Sequence, residues 1–248
     1  MRPVTVVTGG GRGIGAGVVR RLAADGHDLL VGYRSDAEAA RTVASEARRA
    51  GGRVEVVQVD VTDAGQVDAF FGEADALFGR VTGLVNNAGA TVHLGDLAET
   101  PVDVVRSVVD LNLTAALLCA RRAVRSLSTR YGGEGGVIVN VSSAAATLGS
   151  PHEYVHYAAA KAGVDAMTVG LAKEVAADGV RVLGVAPGTV FTRIHADAGD
   201  GDRAERIADQ IPLGRSAHPS EVAGVVSFLL GPDASYLTGT TIRMAGGR

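Results

Sequence analysis

The sequence predicts an α/β protein, a single domain built on a seven-stranded parallel sheet with helices on both faces. Three observations predict it. Short β-branched runs alternate with longer amphipathic stretches along the chain, the pattern of repeated strand–helix–strand units. The 248 residues, 46% of them hydrophobic, suffice for one large core. No linker, internal repeat or low-complexity tract divides them, so the predicted domain spans 1–248.

The elements follow in order. PVTVV (3–7) reads as the first strand, and the glycine turn after it opens the amphipathic stretch GAGVVRRLAADG (15–26). DLLVGY (28–33) is the second strand. Ser35 and Glu38 then spell S-x-x-E, a capping box that puts Asp36 in a helix's first turn. VEVVQVD (54–60) is the third strand, followed by the helical DAGQVDAFFGEADALFG (63–79). GLVNNAG (83–89) is the fourth, and 101–127 is helical with a broad apolar surface. GVIVNVSS (136–143) is the fifth strand, and GSPHEYVH around Pro151 reads as a loop leading into the helix 157–179. VRVLGVAPG (180–188) and TTIRMAGG (240–247) complete the sheet. Between these last two strands, the charged stretch TRIHADAGDGDRAERIADQ (192–210) interrupts the alternation. It reads as a mobile lid beside a site, and a solvated surface helix satisfies the same pattern.

Bulk properties exclude several classes. A net charge of −3 and a pI of about 6.1 offer no basic surplus for nucleic acid or an anionic membrane. MRPVTVVTGG has too short an apolar run for a signal peptide, and no stretch approaches a membrane span. A cytoplasmic location is the expectation. The single cysteine, Cys119, sits in the apolar run LLCA and is expected to be a buried, inert thiol. Glycine, at 34 residues, is about twice the usual ~7%, which implies many tight turns.

Gly9, Gly13 and Gly15 form G-x-x-x-G-x-G between the first strand and its helix. Such glycines let the backbone approach a pyrophosphate, whose charge then meets the helix N-terminus. The turn therefore predicts a dinucleotide site. An NAD-selective site commonly holds an acid at the end of the second strand. Here Tyr33 and Arg34 stand there, and Asp36 has a helix-capping explanation. Arg34 and Arg12 suit a 2′-phosphate, so NADP(H) is expected in preference to NAD(H).

HEYVHYAAAKAG (152–163) holds two overlapping signatures. His152, Glu153 and His156 spell H-E-x-x-H, which with Glu174 as third ligand is a zinc-protease pattern. Tyr157 and Lys161 spell Y-x-x-x-K, which puts a phenol and an ammonium on one helix face. The zinc pattern needs both histidines on a helix, and Pro151 argues for a loop there. No metal is expected. His93 faces either substrate or solvent.

Taken together, TGGGRGIG (8–15), VDV (59–61), NNAG (86–89), LNL (111–113), VSS (141–143), YAAAK (157–161) and PG (187–188) resemble the short-chain dehydrogenase/reductase family, in its motif order and across almost the whole chain. The resemblance implies a Rossmann-type, doubly wound domain and a homotetramer. It implies a catalytic set of Asn112, Ser143, Tyr157 and Lys161, with Asn112 holding a water that feeds protons to Lys161. It implies cofactor contacts from Gly9, Arg12, Gly13, Ile14, Gly15, Arg34, Asp60, Val61, Asn87, Ala88, Gly89, Tyr157, Lys161, Pro187, Gly188 and Thr192. Asn86 and the NNAG turn would stabilise the central sheet.

The chemistry expected of the set is hydride transfer to a ketone, with Tyr157 protonating the oxygen and Ser143 aiming it. A cation within ~4–6 Å can lower a phenol's pKa by ~1–3 units, and Lys161 is expected to do so. Tyr154, two turns from Lys161, is assigned to the pocket wall. Ser142 alternates to the other strand face if the strand persists.

The closest subfamily resemblance is to 3-oxoacyl-(acyl-carrier-protein) reductases. A sugar or polyol dehydrogenase and a redox-sensing NADP-binding module are the alternatives. Carrier-dependent relatives often place a base just before the glycine that ends the catalytic helix. Asp178 stands there, with Lys173 and Arg130 poorly placed to compensate, so the expected substrate is a small-molecule carbonyl and an acyl carrier protein is doubtful. Ala245, where relatives often carry an acid, weakens any reading of the C-terminal interface.

Overall fold

The computed structural model describes residues 2–248. Its seven strands are β1 (Val4–Val7), β2 (Asp28–Tyr33), β3 (Arg53–Gln58), β4 (Gly83–Asn86), β5 (Gly136–Val141), β6 (Val180–Pro187) and β7 (Thr241–Met244). They form one parallel sheet of order β3-β2-β1-β4-β5-β6-β7. β1 lies inside it, with Val6 opposite Leu30 on one side and Leu84 on the other. The helices are α1 (Gly13–Ala24), α2 (Ala37–Arg49), α3 (Ala64–Phe78), α4 (Val102–Val109), α5 (Ala115–Leu127), α6 (Ala145–Leu148), α7 (Val155–Val175), α8 (Arg203–Arg206) and α9 (Pro219–Leu230). A single π-helical turn, Asp110–Thr114, joins α4 to α5.

Strand alternation divides the core in two. Val7, Val31, Val85, Val139 and Val185 point to the side covered by α1, α2 and α9. Val6, Leu30, Leu84, Ile138 and Val182 point to the side covered by α3, α5 and α7, where Phe70, Phe71, Cys119 and Leu127 fill the space. This is the period-2 rule applied to strands buried on both faces. Strand order reverses between β1 and β4, and that reversal opens a crevice beyond the strands' C-terminal ends. Cys119 is fully enclosed, and burial raises its thiol to about 12. No helix among the described residues is long and apolar enough to cross a membrane.

Four local differences from the sequence expectation have physical causes. β4 stops at Asn86 because Asn87 and Ala88 leave the sheet to give their backbone N–H groups to the Thr8 hydroxyl, at 2.9 and 3.0 Å. β5 likewise stops at Val141, before the paired serines. Asp36, not Ser35, caps α2, its carboxylate accepting from the Ala39 N–H at 3.0 Å. The 192–210 segment is no continuous helix but short turns around α8, anchored by Arg203. That guanidinium is 5% exposed; it donates to Glu153 at 2.7 Å and approaches Asp200 at 3.5 Å.

The overlapping signatures are separated by where α7 starts. Val155 is its first residue, so His152 lies before it in a left-handed conformation at φ 61°. His152 bonds Asp96 at 2.8 Å and Glu153 is committed to Arg203. The two histidines therefore do not share a helix face. Tyr157 and Lys161 are both inside α7, one turn apart.

Candidate active site

A cleft of about 770 Å³ runs along the strand ends. It is lined by Gly9, Arg12, Gly13, Ile14, Gly15, Arg34, Asp60, Val61, Asn87, Ala88, Gly89, Ser143, Tyr157, Lys161, Pro187, Gly188 and Thr192. Of the catalytic and cofactor residues read from sequence, Asn112 stands back from it, enclosed behind Gly89.

At one end the glycine turn leads from β1 into α1. Gly15 has no room for a side chain: a Cβ would lie 2.3 Å from the Gly9 carbonyl oxygen and 2.6 Å from Asn87 Nδ2. That amide donates to the Thr8 and Gly9 carbonyls, both at 3.0 Å, and ties the turn to the end of β4. Gly15→Ala is expected to push the turn out of shape. Overpacking of this kind costs about 1–3 kcal/mol, a Tm drop of about 2–12 °C at this chain length. Dinucleotide affinity should fall with it. Thermal melts and a fluorescence titration check both; an unchanged Tm with full affinity would show that the turn tolerates a methyl group.

Near the tip of β2, Arg34 is 70% exposed with its Nε 3.7 Å from Asp60 Oδ2. The Thr62 hydroxyl and N–H, at 2.6 and 3.0 Å, hold the Asp60 carboxyl below the usual carboxylate range, and Arg34 adds to this. Arg12, inside the glycine turn, pairs with Asp197 of the 192–210 segment at 2.8 Å. Thr192 packs over Gly13. The segment therefore touches the glycine turn directly, and its Thr192, Arg193, Ile194, His195, Asp197 and Arg203 line the cleft.

At the other end, the strand and helix termini gather the reactive side chains. Tyr157 is 7% exposed. Burial raises its phenol well above the ordinary tyrosine range, with the hydrogen bond to Ser143 acting the other way. Lys161 Nζ lies 5.7 Å from the phenol ring centre and donates to the Val141 carbonyl at 2.9 Å. Burial draws Lys161 down to about 8, with Asp165 opposing. The expected lowering of the phenol by the ammonium does not show: burial raises the phenol and draws the cation down as well. Tyr157 is thus a firmly protonated donor.

The serine pair is separated by local geometry. Ser142 is enclosed and gives its hydroxyl to the Lys161 carbonyl at 3.2 Å. Ser143 is the one beside the phenol in the cleft, its oxygen accepting from the Ala145 N–H at 3.1 Å. Asn112 sits in the π-helical turn, a distortion that often marks functional sites. Its amide donates to the Ala90 and Val108 carbonyls at 2.8 and 2.9 Å, while its Oδ1 is buried without a partner among the described residues. A Cβ on Gly89 would lie 2.6 Å from that oxygen and 3.3 Å from Lys161 Nζ, so both groups border one spot. Asn86 faces the sheet instead, donating to the Ala116 carbonyl at 2.8 Å and contacting Asn140.

Tyr154 lines the cleft wall, as the sequence assigned it; sequence reasoning missed Thr8, which ties β1 to the NNAG turn, and His195 and Arg203 beside Tyr154. For Thr8 the signal was present, a small hydroxyl directly before the first glycine. His93 does not line the cleft.

Comparison with known proteins places these features. A family profile described as "Enoyl-(Acyl carrier protein) reductase" matches residues 9–248. The chain is 41% identical to the uncharacterized oxidoreductase YgfF of Escherichia coli (strain K12), over 99% of both chains. It is 40% identical to the 3-oxoacyl-[acyl-carrier-protein] reductase of Synechocystis sp., over 98% of this chain and 96% of that one. A crystal structure of a short chain dehydrogenase from Burkholderia cenocepacia J2315 in complex with NADP superposes with a TM-score of 0.90. It is 32% identical and covers 99% of this chain and 97% of its own.

Proposed function

The chain belongs to the short-chain dehydrogenase/reductase family of oxidoreductases, and from that premise we propose that it reduces a ketone or β-ketoacyl carbonyl to a secondary alcohol with NADPH. One observation carries the direction and the chemistry. A buried, protonated phenol, beside Ser143 and one helical turn from a buried lysine, stands in the same cleft as a glycine turn that excludes any side chain at Gly15.

The residues present fit a dinucleotide. The glycine turn and the N-terminus of α1 suit its pyrophosphate, Asp60 and Val61 its adenine, and Arg34 a 2′-phosphate. Pro187, Gly188 and Thr192, which also line the cleft, would border its nicotinamide. When bound, the reduced nicotinamide supplies a hydride for the carbonyl carbon. Ser143 orients the carbonyl oxygen by a hydrogen bond, and Tyr157 donates its proton to that oxygen as charge develops. Lys161 stabilises the phenolate left behind, and the unpartnered Asn112 Oδ1 can hold a relay water through which the proton is restored. The enclosed surroundings of Tyr157 strengthen each of these contacts by excluding bulk water.

Carrier-bound substrate is disfavoured. Asp178 lies at the end of the catalytic helix, its carboxylate accepting from Ser128 at 3.0 Å, while Arg130 folds over the Tyr131 ring. An acidic carrier would meet that carboxylate. The test is an NADPH-oxidation screen over β-ketoesters, ketosteroids, quinones and sugars, with one β-ketoacyl group offered on a short thiol and on carrier protein. Turnover of ketones and preference for the short thiol are expected. A hundredfold preference for the carrier, lost at high salt, would restore the fatty-acid reading, and inactivity toward every carbonyl would overturn the function.

A further inference from the structure

The substrate end of the cleft has a second wall whose polar atoms the proposed chemistry does not use. Tyr154 meets Tyr157 edge-on, with ring centres 5.5 Å apart at 90°. His195 lies nearly parallel to Tyr154, ring centres 6.3 Å apart at 26°. Arg203 stands 5.5 Å from the Tyr154 ring centre, its terminal nitrogens occupied by Glu153 and Asp200. Leu148, Val190 and Ile211 complete an apolar lining.

Among the described residues, Arg203 Nε is buried without a partner, but its terminal nitrogens are held; His195 is the side chain of this wall with no polar partner at all. Neither ring nitrogen has a partner among the described residues, and Nδ1 is enclosed by protein. Burial, together with the neighbouring Arg203 cation, draws the imidazole down to about 4, so it is neutral at physiological pH. A neutral imidazole carries one N–H and one lone pair. With Nδ1 enclosed and no acceptor beside it, the proton is better placed on Nε2. Apolar pockets fix ligand orientation through a few such polar groups. Ser143 and Tyr157 serve the reacting oxygen, which leaves His195 for another atom.

We infer that His195 is a specificity-determining residue: its ring N–H hydrogen-bonds a second oxygen of the substrate, beyond the carbonyl being reduced. The favoured substrates are therefore ketones that carry a further acceptor oxygen, as β-keto esters and thioesters do. Plain ketones of the same length fill the apolar wall but leave the imidazole unpaired. This rests on the reductase reading and names the substrate class within it.

The test compares ethyl acetoacetate with methyl pentyl ketone, which has the same chain length, in the wild type, His195→Phe and His195→Gln. Phenylalanine keeps a flat ring against Tyr154 and removes both nitrogens; glutamine returns an N–H donor without the ring. The readout is the ratio of kcat/KM for the two ketones, which cancels any general damage to the site. In His195→Phe that ratio should fall by roughly 3- to 10-fold, the usual worth of one neutral hydrogen bond, and most of the change should appear in KM. In His195→Gln it should recover in part. A ratio that is unchanged in His195→Phe, or two substrates that lose activity in equal proportion, would overturn the assignment while leaving the reductase intact. A wild-type enzyme that oxidises no NADPH with either ketone would overturn the reductase reading, and the assignment with it.

Discussion

Tyr157→Phe is expected to lower turnover by about 10²–10⁴-fold, the usual contribution of a general acid, while dinucleotide affinity stays close to wild type. The phenol stands beside Ser143 in the cleft, and burial keeps it protonated. Phenylalanine preserves the edge-on packing against Tyr154 and deletes the proton. Steady-state rates with a fluorescence titration of NADPH separate the two effects. Retained turnover, with Tyr154→Phe inactive instead, would move the acid three residues upstream. The pH profile gives a second check. Lys161 is drawn down to about 8, so it is charged below that value and neutral above it. Its support for the departing proton is then fully present at lower pH and lost as pH rises through about 8, and the rate of reduction should fall across that range.

Arg34→Ala is expected to weaken NADPH by about 10- to 150-fold and to spare NADH, since a hydrogen bond to a charged group contributes ~1.5–3 kcal/mol. The guanidinium is held only loosely by Asp60, at 3.7 Å, and is free to turn toward a 2′-phosphate. Arg12 should matter less to the preference. It already has Asp197 as a partner at 2.8 Å, so a phosphate there replaces one anion with another. Titration of both cofactors against both arginine variants tests this ordering. A wild type that prefers NADH would refute the reading of Tyr33, Arg34 and Ser35 outright.

Much of this molecule is written in local patterns. Strands covered on both faces give short apolar runs, and all seven appear where those runs fall. Glycines between a strand and a helix mark a close backbone approach, and Gly15 has no space for even one added carbon. The i,i+4 spacing of Tyr157 and Lys161 holds because both lie within one helix. Less was legible where partners are far apart in sequence. Glu153 and Arg203 meet across 50 residues, and Thr8 meets Asn87 across 79; no periodicity encodes either contact. Neighbouring capping residues cannot be ranked by type alone, which is why Asp36 displaced Ser35. Spacing places a cation near the phenol, but the balance between that cation and desolvation depends on burial, which only the packed structure supplies.

The arginine-rich surface has a practical corollary. The chain contains two lysines, Lys161 and Lys173. Lys173 is exposed on the far part of α7, while Lys161 is 4% exposed and reachable only through the cleft. With its amine drawn down to about 8, Lys161 is nucleophilic in mildly alkaline buffer, where most lysines remain protonated. A small acylating reagent should therefore mark two lysine-bearing peptides, one gated by the site and the other an internal standard. Their mass-spectrometric ratio would report how fully the cleft is filled, for any candidate cofactor, before a single substrate has been identified.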